Sequence, residues 1–259
     1  MNKTVLVSCP VSNRDWILPY YLEHIKNINY PKHLIHIYWI VNNSKDDSLK
    51  MLQQFKLENN DQYASIEIAL ENSSKYFEDE RTTETREKFT YSWLSTLRNM
   101  VLKKTVKLGA DYLFSCDCDI LVEPDIIKNL MEFDKSCISS LIYNGYELFG
   151  EDYYKFPNIL KKDNQGKYKH IVNNYTANPS KCPKDKLVAT DFTGACFLAK
   201  AETCSKVEYK QMPQGEDGYW SEKMIEAGYE LWCSPYNFSK HIMSIDWLNK
   251  YLTGTYPMR

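Results

Sequence analysis

Short apolar runs alternate with amphipathic patterns through the first half of the chain, and this alternation constrains the fold strongly. Runs typical of buried strands occur at residues 4–9, 34–41, 64–70 and 112–122. Between these runs, apolar residues recur every three or four positions, which is the spacing of an amphipathic helix. Strands that alternate with helices build a mostly parallel sheet, because each helix carries the chain back to begin the next strand. The sequence therefore predicts a doubly wound α/β fold.

The second half of the chain is less regular. It contains a stretch rich in Tyr, Asn and Lys at 146–186, with a hairpin predicted around 164–166, before strand and helix patterns resume. A chain of 259 residues is long enough for one large domain with its own core. We therefore expect a single domain, 1–259, with a parallel part in 1–134 and a smaller, mixed part in 135–259.

Charge and hydropathy exclude several classes of partner. The formal net charge is -2, and charges of both signs are spread along the chain, so no basic stripe predicts a nucleic-acid partner. No apolar run approaches the roughly 20 residues needed to cross a bilayer, so no transmembrane segment is predicted. Met1–Thr4 leads into a strand and not into a cleavage site. We therefore expect a cytoplasmic protein whose 8 cysteines are buried free thiols.

Two carboxylates, Asp117 and Asp119, interrupt the apolar run that begins at Tyr112. Open α/β sheets bind ligands outside the carboxyl ends of their strands. Side chains two positions apart on an extended segment point the same way, so both carboxylates could face one Mg²⁺ or Mn²⁺ and a diphosphate. A solvated turn whose acids favour a helix N-terminus explains the same residues, and so does a phosphatase-type site with Asp117 as phosphoryl acceptor.

Five short motifs in the chain resemble those of a known protein family. They are Cys9–Arg14, Asn42–Ser48, Leu97–Asn99, Asp117–Asp119 and Gly215–Asp217. In their order and positions they resemble the GT-A fold glycosyltransferases, most closely the family 2 type, with some likeness to fungal Golgi mannosyltransferases. The resemblance extends from the first strand to about His241. It implies one Rossmann-like GT-A domain with a nucleotide-binding half in 1–134 and an acceptor-binding half in 135–259.

The resemblance further implies which residues hold a nucleotide-sugar donor. They are Pro10, Val11, Asn13, Arg14, Asn43, Asp46, Arg98, Asp117, Cys118, Asp119 and Gly194. The loops after the first two strands would hold the base and ribose, and Arg98 would lie near the diphosphate. A UDP-sugar is the favoured donor, with a GDP-sugar as the alternative. Asn42–Asn43 stands where many family 2 members carry an acidic pair, so the hydrogen bond to the ribose or base would come from Asp46 or from an Asn amide.

A Mn²⁺ or Mg²⁺ cofactor also follows from the resemblance. Asp119 would bind the metal directly, and Asp117 would contact the ribose, or the metal through a water molecule. His241 would be a third ligand, because it follows the last predicted strand. A lone histidine is more often structural, so the structural explanation of His241 stays open.

Glu216 and Asp217 begin a predicted helix, where acidic residues commonly stabilise the N-terminus. The resemblance implies that Asp217 is the base of an inverting transfer, removing a proton from an acceptor hydroxyl, with Glu216 as its neighbour or as an acceptor contact. The acceptor would be a carbohydrate, a lipid-linked sugar or a protein. A retaining enzyme and a non-catalytic nucleotide- or carbohydrate-binding protein of the same fold are the alternatives. Tyr219, Trp220 and Trp247 could stack on the acceptor or belong to the core.

Overall fold

The structure is a computed structural model, and it describes residues 3–73, 86–144 and 150–256. The polar segment 71–89, whose composition predicts an exposed connection, lies mostly outside these ranges. The beginning of the Tyr-rich stretch at 146–186 lies outside them as well.

Eight strands form the main sheet of the described chain. In chain order they are β1 (Val5–Val11), β2 (Ile35–Val41), β3 (Ser65–Leu70), β4 (Tyr112–Cys116), β6 (Cys137–Leu141), β9 (Val188–Thr190), β10 (Cys196–Lys200) and β11 (Leu231–Phe238). Their spatial order is β3-β2-β1-β4-β10-β6-β11-β9. A second, two-stranded ribbon pairs β5 (Ile120–Leu121) with β12 (Lys240–His241), and a hairpin pairs β7 (Leu160–Lys162) with β8 (Tyr168–His170).

Helices connect these strands and cover the sheet. They are α1 (Leu18–Lys26), α2 (Ser48–Asn59), α3 (Arg86–Leu108), α4 (Ile126–Met131), α5 (Asn174–Ala177), α6 (Ala201–Cys204), α7 (Glu216–Glu226) and α8 (Ile245–Leu252). Short 3-10 helices occupy Lys32–Leu34, Gly150–Lys155 and Pro179–Lys181. No helix in the described ranges is both long and apolar enough to cross a membrane.

The sheet is buried on both faces, which explains the nearly continuous apolar composition of its central strands. Val5 and Val7 of β1 pack into one core cluster, while Leu6 between them packs into a second. This division follows from the alternation of side chains along a strand. All eight cysteines are buried and free, as predicted.

Most strand pairs of the eight-stranded sheet are parallel, which confirms the predicted α/β class. The pairs β1–β2, β2–β3, β1–β4 and β6–β11 are parallel. The antiparallel exceptions are β10, between β4 and β6, and β9, at one edge. Because β1, β2 and β4 run in the same direction, the loops that follow them meet at one edge of the sheet, and the candidate site lies there.

Candidate active site

The chain turns sharply at Asp117–Asp119, between β4 and β5. The backbone N–H of Ile120 donates to the carbonyl of Asp117 at 3.0 Å, and the thiol of Cys118 faces the carbonyl of Pro10 at 3.8 Å. The prediction of an extended segment with two parallel carboxylates is therefore wrong. A turn aims successive side chains differently, and Asp117 and Asp119 contact different neighbours.

Asp119 contacts a histidine from the far end of the chain. Strand β12 pairs with β5 so that His241 lies opposite Ile120, and the N–H of Ile242 donates to the carbonyl of Asp119 at 2.8 Å. His241 Nε2 consequently lies 3.5 Å from Asp119 Oδ1, while Arg14 Nε lies 3.6 Å from Asp119 Oδ2. The side chains of Asp119 and His241 are only 9% and 12% exposed. His241 thus lies beside Asp119, and its role as a metal ligand stays a prediction.

These residues fit a divalent cation that is shared with a bound diphosphate. No cluster of three or more His, Cys, Asp or Glu side chains able to hold a metal occurs among the described residues. However, one carboxylate and one imidazole nitrogen are present at Asp119 and His241. Mg²⁺ sites in nucleotide enzymes commonly take one or two protein ligands and complete their shell with phosphate oxygens and water. The pair therefore suits a cation that arrives with a nucleotide.

Asp117 belongs to a buried ionic network centred on Arg98 of α3. Arg98 Nη1 and Nη2 donate to the two carboxylate oxygens of Asp117 at 3.3 and 3.2 Å. Arg98 Nε donates to Glu216 Oε1 at 3.1 Å and lies 3.6 Å from Asp217 Oδ1. One guanidinium thus faces three carboxylates. The sequence predicted Arg98 near the diphosphate of a donor, and its contacts with Glu216 and Asp217 were not predicted.

The network changes the acidity of Arg98 and Asp217. Burial alone would lower the pKa of Arg98, but the carboxylates of Asp117, Asp217 and Glu216 outweigh burial and raise that pKa well above its ordinary value. Burial raises the pKa of Asp217 from 3.8 to about 7, against the opposing effect of Arg98 and with further help from Glu216 and Asp117. Arg98 is therefore permanently charged, whereas Asp217 changes its protonation state near neutral pH.

Glu216 is more deeply buried than Asp217. It is 5% exposed, and its carboxylate accepts the Arg98 Nε–H. Asp217, on the next position of α7, keeps 19% of its side chain exposed. Of the two acids, Asp217 is therefore the one that a substrate can approach, and Glu216 is in place to hold Arg98. A role for Glu216 in acceptor contact does not fit its burial.

Gly194 forms the wall behind Asp217. A Cβ atom built on Gly194 would lie 2.1 Å from Asp217 Oδ2 and 2.9 Å from Asp217 Cβ. The backbone of residue 194 must therefore carry no side chain for Asp217 to hold its position. The resemblance assigned Gly194 to the donor site, and the structure shows its backbone packed closely against Asp217.

We expect Gly194→Ala to displace Asp217, at a cost of about 1–3 kcal/mol in stability, the usual range for overpacking, together with a loss of transfer. Urea denaturation and a transfer assay would measure the two effects. In an Asp217→Ala background the Oδ2 and Cγ contacts are gone, so the same substitution should cost less. An equal cost in both backgrounds would show that Asp217 does not depend on Gly194.

Asparagine side chains join the loops that follow β1, β2 and β3. Asn13 Oδ1 accepts the backbone N–H of Lys45 at 2.9 Å, and Asn72 Oδ1 accepts the backbone N–H of Asn43 at 2.8 Å. Asn13 and Asn43 have φ values of 49° and 48°, a left-handed conformation that Asn adopts more readily than most residues. Both asparagines therefore shape the loops, and their contact with a nucleotide stays a prediction.

Asp46 likewise holds the loops together. Its carboxylate accepts the N–H of Asp15 at 2.8 Å and the hydroxyl of Ser48 at 2.9 Å. Burial would raise the pKa of Asp46, but these hydrogen bonds outweigh burial and lower it. The structural explanation, a carboxylate that stabilises the start of α2, accounts for Asp46 without a ribose, and its donor contact stays a prediction.

The other predicted donor residues are placed by β1. Val11 is fully buried, and its carbonyl accepts the backbone N–H of Asn42 at 2.9 Å. Arg14 lies in the loop beyond β1, where its backbone N–H donates to the hydroxyl of Ser48 at 2.8 Å. Val11 thus contributes to the core, and Arg14 presents its guanidinium toward Asp119.

Two of the three aromatic acceptor candidates belong to the core. Trp220 is fully buried and stacks on Phe197 with 4.8 Å between ring centroids, and Trp247 is 6% exposed. Tyr219 is half-buried on α7. Only Tyr219 of the three presents a partly open ring, so it alone stays an acceptor candidate.

Two residues of the site were not predicted from the sequence. Tyr209 places its ring centroid 5.9 Å from Arg98 Cζ, and Asn144 places its Oδ1 3.0 Å from His241 Nδ1. Both come from irregular segments of the second half, where neither periodicity nor a motif marks them. The only sequence signal for Tyr209 was that it is an aromatic residue close to Gly215, and Asn144 had none.

Residues 2–169 match the family model for the glycosyltransferase family 25 N-terminal domain. Procollagen galactosyltransferase 1-A of Xenopus laevis is 24% identical over 142 residues, covering 54% of this chain and 23% of the relative. A glycosyltransferase 25 family member of Drosophila melanogaster is 27% identical over 158 residues, covering 58% and 26%. The inactive glycosyltransferase 25 family member 3 of Homo sapiens is 25% identical over 128 residues, covering 49% and 22%. The chain spans about a quarter of the length of these relatives.

Solved glycosyltransferase structures share the fold. The mannosyltransferase PcManGT from Pyrobaculum calidifontis, in complex with GDP-Man and Mn²⁺, has a TM-score of 0.56 at 11% identity, covering 94% of this chain and 58% of that one. S. aureus TarS 1-349 in complex with UDP-GlcNAc has a TM-score of 0.55 at 11% identity, covering 92% and 58%. At such low identity the likeness shows the fold alone, and it confirms the predicted GT-A fold.

The family match sharpens the resemblance stated from the motifs. It gives family 25 where the motifs were compared with the family 2 type, and the likeness to fungal mannosyltransferases stays a prediction. Because the match covers residues 2–169 of 259, which is more than half of the sequence, this chain belongs to glycosyltransferase family 25.

Proposed function

We propose that this chain transfers a sugar from a nucleotide-sugar donor to a hydroxyl acceptor, with a divalent cation and with inversion at the anomeric carbon. One observation carries the proposal. The Asp117–Asp119 turn sends one carboxylate to His241 and the other to Arg98, which in turn faces Asp217. This arrangement supports a cation site for the donor on one side of a single turn and a base for the acceptor on the other.

The donor side consists of Asp119, His241 and Arg14. Asp119 and His241 would hold Mn²⁺ or Mg²⁺. The cation would neutralise the negative charge that develops on the departing nucleoside diphosphate. Arg14 Nε lies 3.6 Å from Asp119 Oδ2, so its guanidinium is near enough to contribute positive charge to the same diphosphate. We therefore assign Arg14 to the donor site as a positively charged group in addition to the divalent cation.

Asp217 is the base of the proposed reaction. A general base works best when its pKa is close to the operating pH, and burial raises the pKa of Asp217 to about 7. Near neutrality a substantial fraction of Asp217 is ionised and able to accept the proton of an acceptor hydroxyl. Its partly exposed side chain gives the acceptor access, whereas buried Glu216 holds Arg98.

A UDP-sugar is the favoured donor, with UDP-galactose as the first to try. A relative named as a procollagen galactosyltransferase and a fold neighbour solved with UDP-GlcNAc support this choice. A GDP-sugar is the second choice, because another fold neighbour was solved with GDP-Man and Mn²⁺. The acceptor is a hydroxyl of a carbohydrate, a lipid-linked sugar or a protein, and a cytoplasmic location stays a prediction.

A donor panel tests the proposal. UDP-galactose, UDP-glucose, UDP-GlcNAc and GDP-mannose would each be incubated with the protein and Mn²⁺, with and without chelator, and nucleotide release would be measured. We expect release from one donor, and its loss with chelator, because the diphosphate then lacks its counter-charge. Binding of a donor without release under any condition would favour the non-catalytic alternative. Absence of both would remove the enzyme proposal altogether.

The stereochemistry of the product separates the two enzymatic alternatives. NMR of the anomeric proton during transfer to a simple acceptor should show inversion relative to the donor. A retained configuration would contradict a single displacement and would leave Asp217 without its assigned role.

A further inference from the structure

Asn99 follows Arg98 on α3, and its side-chain amide binds both backbone polar groups of Tyr209. Asn99 Nδ2 donates to the carbonyl of Tyr209 at 2.8 Å, and Asn99 Oδ1 accepts the N–H of Tyr209 at 2.8 Å. A backbone N–H can only donate and a carbonyl can only accept, so these partners fix the orientation of the amide. We call this pair of hydrogen bonds the Asn99 clasp.

The clasp holds a segment that leads directly into the site. Tyr209 lies between α6 and α7, and the five residues after it, 210–214, are exposed or half-buried. Gly215 and the first turn of α7 follow at once, and that turn carries Glu216 and Asp217. The clasp is therefore a fixed point for the chain just before these two acids.

The ring of Tyr209 joins the two helices that carry Arg98 and Asp217. It is 2% exposed and stacks on Trp220 of α7, with 5.6 Å between centroids and 9° between planes. Its centroid also lies 5.9 Å from Arg98 Cζ. Trp220 is one helical turn beyond Asp217, and it stacks in turn on Phe197 of β10. Tyr209 thus links α3 to α7, while Trp220 holds α7 on the sheet.

We propose that Asn99 and Tyr209 are positioning residues that set the separation between the Arg98 guanidinium and the Asp217 carboxylate, and so prepare Asp217 to accept a proton. The inference rests on the proposed function, in which Asp217 is the base. Neither residue needs to touch a substrate for this role. The Arg98 Nε to Asp217 Oδ1 distance of 3.6 Å is the quantity that they control.

A loosened clasp has a defined electrostatic consequence. The charged groups facing Asp217 are Arg98 from α3, Glu216 from its own helix and Asp117 from the turn. Among these, Arg98 alone favours the ionised form of Asp217. When α7 moves away from α3, the attraction of Arg98 weakens, but Asp217 also becomes less buried, and burial is the larger of the two effects on its pKa. The pKa of Asp217 should therefore fall from about 7 toward its ordinary value.

The test is a ¹³C-carboxyl NMR titration of Asp217 in the donor-free protein, with the signal assigned by its loss in Asp217→Asn. Asn99→Ala should move the midpoint downward by on the order of one pH unit. Tyr209→Leu keeps the backbone groups of the clasp but removes the ring, and it should move the midpoint in the same direction. In turnover, the acid limb of the pH profile should move downward too, with kcat lowered, because the base is weaker, and the donor KM unchanged.

Asn59→Ala is the matched control. Asn59 is buried on α2, and its Nδ2 donates to the carbonyl of Phe55 at 2.8 Å, so its removal costs a similar side-chain hydrogen bond far from the site. It should lower stability and leave the Asp217 midpoint unchanged. If Asn99→Ala behaves like Asn59→Ala, the clasp has only a structural role and the proposal is overturned.

The titration also separates this inference from the proposed function. If the wild-type protein turns over no donor, the proposed function fails, but the midpoints of wild type and variants still decide whether the clasp controls Asp217. If Asn99→Ala does not fold, Tyr209→Leu decides in its place. An unshifted midpoint in that variant overturns the proposal.

Discussion

Asp217→Asn is expected to lower kcat for transfer by about 10²–10⁴-fold, the contribution of a general base, while the donor KM stays within about twofold. The amide has nearly the same shape but cannot accept the proton of the acceptor hydroxyl. Donor binding depends on other residues, so it should persist. Steady-state kinetics with varied donor and acceptor would measure both constants.

Glu222→Gln is the matched control for this prediction. Glu222 lies on the same helix, α7, but its carboxylate pairs with Lys162 at 2.7 Å and takes no part in the Arg98 network. The substitution should leave kcat close to that of the wild type. Full activity in Asp217→Asn would remove Asp217 as the base.

The same substitution should change the pH dependence of stability. The pKa of Asp217 is about 7 in the folded protein against 3.8 for the ordinary group, so the folded state binds the proton more tightly than the unfolded state does. Wild-type stability should therefore fall as the pH rises from about 4 to about 7, and that loss should disappear in Asp217→Asn.

The difference can be measured by urea denaturation at pH 5 and pH 8. We expect the free energy of unfolding of Asp217→Asn, relative to wild type, to increase by about 2–4 kcal/mol across this interval. Glu222→Gln again serves as the control. A difference that does not vary with pH would show that Asp217 ionises in its ordinary range.

Asp119→Ala has the second large expected effect, the loss of Mn²⁺-dependent nucleotide binding. Asp119 supplies the carboxylate of the pair with His241, and removing it leaves a single imidazole for the cation. We expect the affinity for UDP in the presence of Mn²⁺ to fall to its value in chelator, a loss at least as large as the 10–100-fold typical when an outer-shell partner is removed. Calorimetric titration with Mn²⁺ and with chelator would show it.

Asp117→Ala is the informative comparison, because Asp117 lies in the same turn but pairs with Arg98. We expect it to keep most of the Mn²⁺ dependence. An equal loss in both variants would mean that Asp117 leaves Arg98 to join the cation when a nucleotide binds. Unchanged Mn²⁺-dependent affinity in Asp119→Ala would contradict the cation assignment.

The fold could be predicted because its first half has strong local patterns. The buried runs at β1, β2 and β4 and the amphipathic helices between them have periods that sequence alone reveals. The hairpin formed by β7 and β8 was also predicted, because the polar residues before Gly166 mark a turn and glycine there adopts φ +74°. Local signals of this kind do not depend on distant contacts.

The predictions fail where contacts between residues far apart in the sequence determine the local structure. The extended geometry expected at Asp117–Asp119 gives way to a turn because β12, from the end of the chain, pairs with β5. Strand β11 likewise continues past Pro235 to Phe238, with an irregular register after Ser234. Pairing partners far away in the sequence leave no periodic trace, so neither feature could be predicted.

The sequence indicated candidate residues but not their arrangement. Motifs identified Arg98, Asp119 and Asp217, and the position after the last predicted strand identified His241; the structure brings all four to one edge of the sheet. Two features of the arrangement depend on side-chain distances of a few ångströms. Arg98 binds both Asp117 and Glu216, and Asp46 forms hydrogen bonds within the loops. Motif spacing does not carry that information.

The geometry of the Asp119–His241 pair depends on the register between β5 and β12. His241 lies opposite Ile120, with Lys240 opposite Leu121. A slip of one residue would place either the ammonium group of Lys240 or the apolar side chain of Ile242 at the position of the imidazole. The first would fill the position with a fixed positive charge, and the second would offer no ligand. One residue inserted or deleted between β11 and β12 would therefore remove the imidazole ligand. Nucleotide binding would then no longer depend on the metal, while the eight-stranded sheet stayed intact.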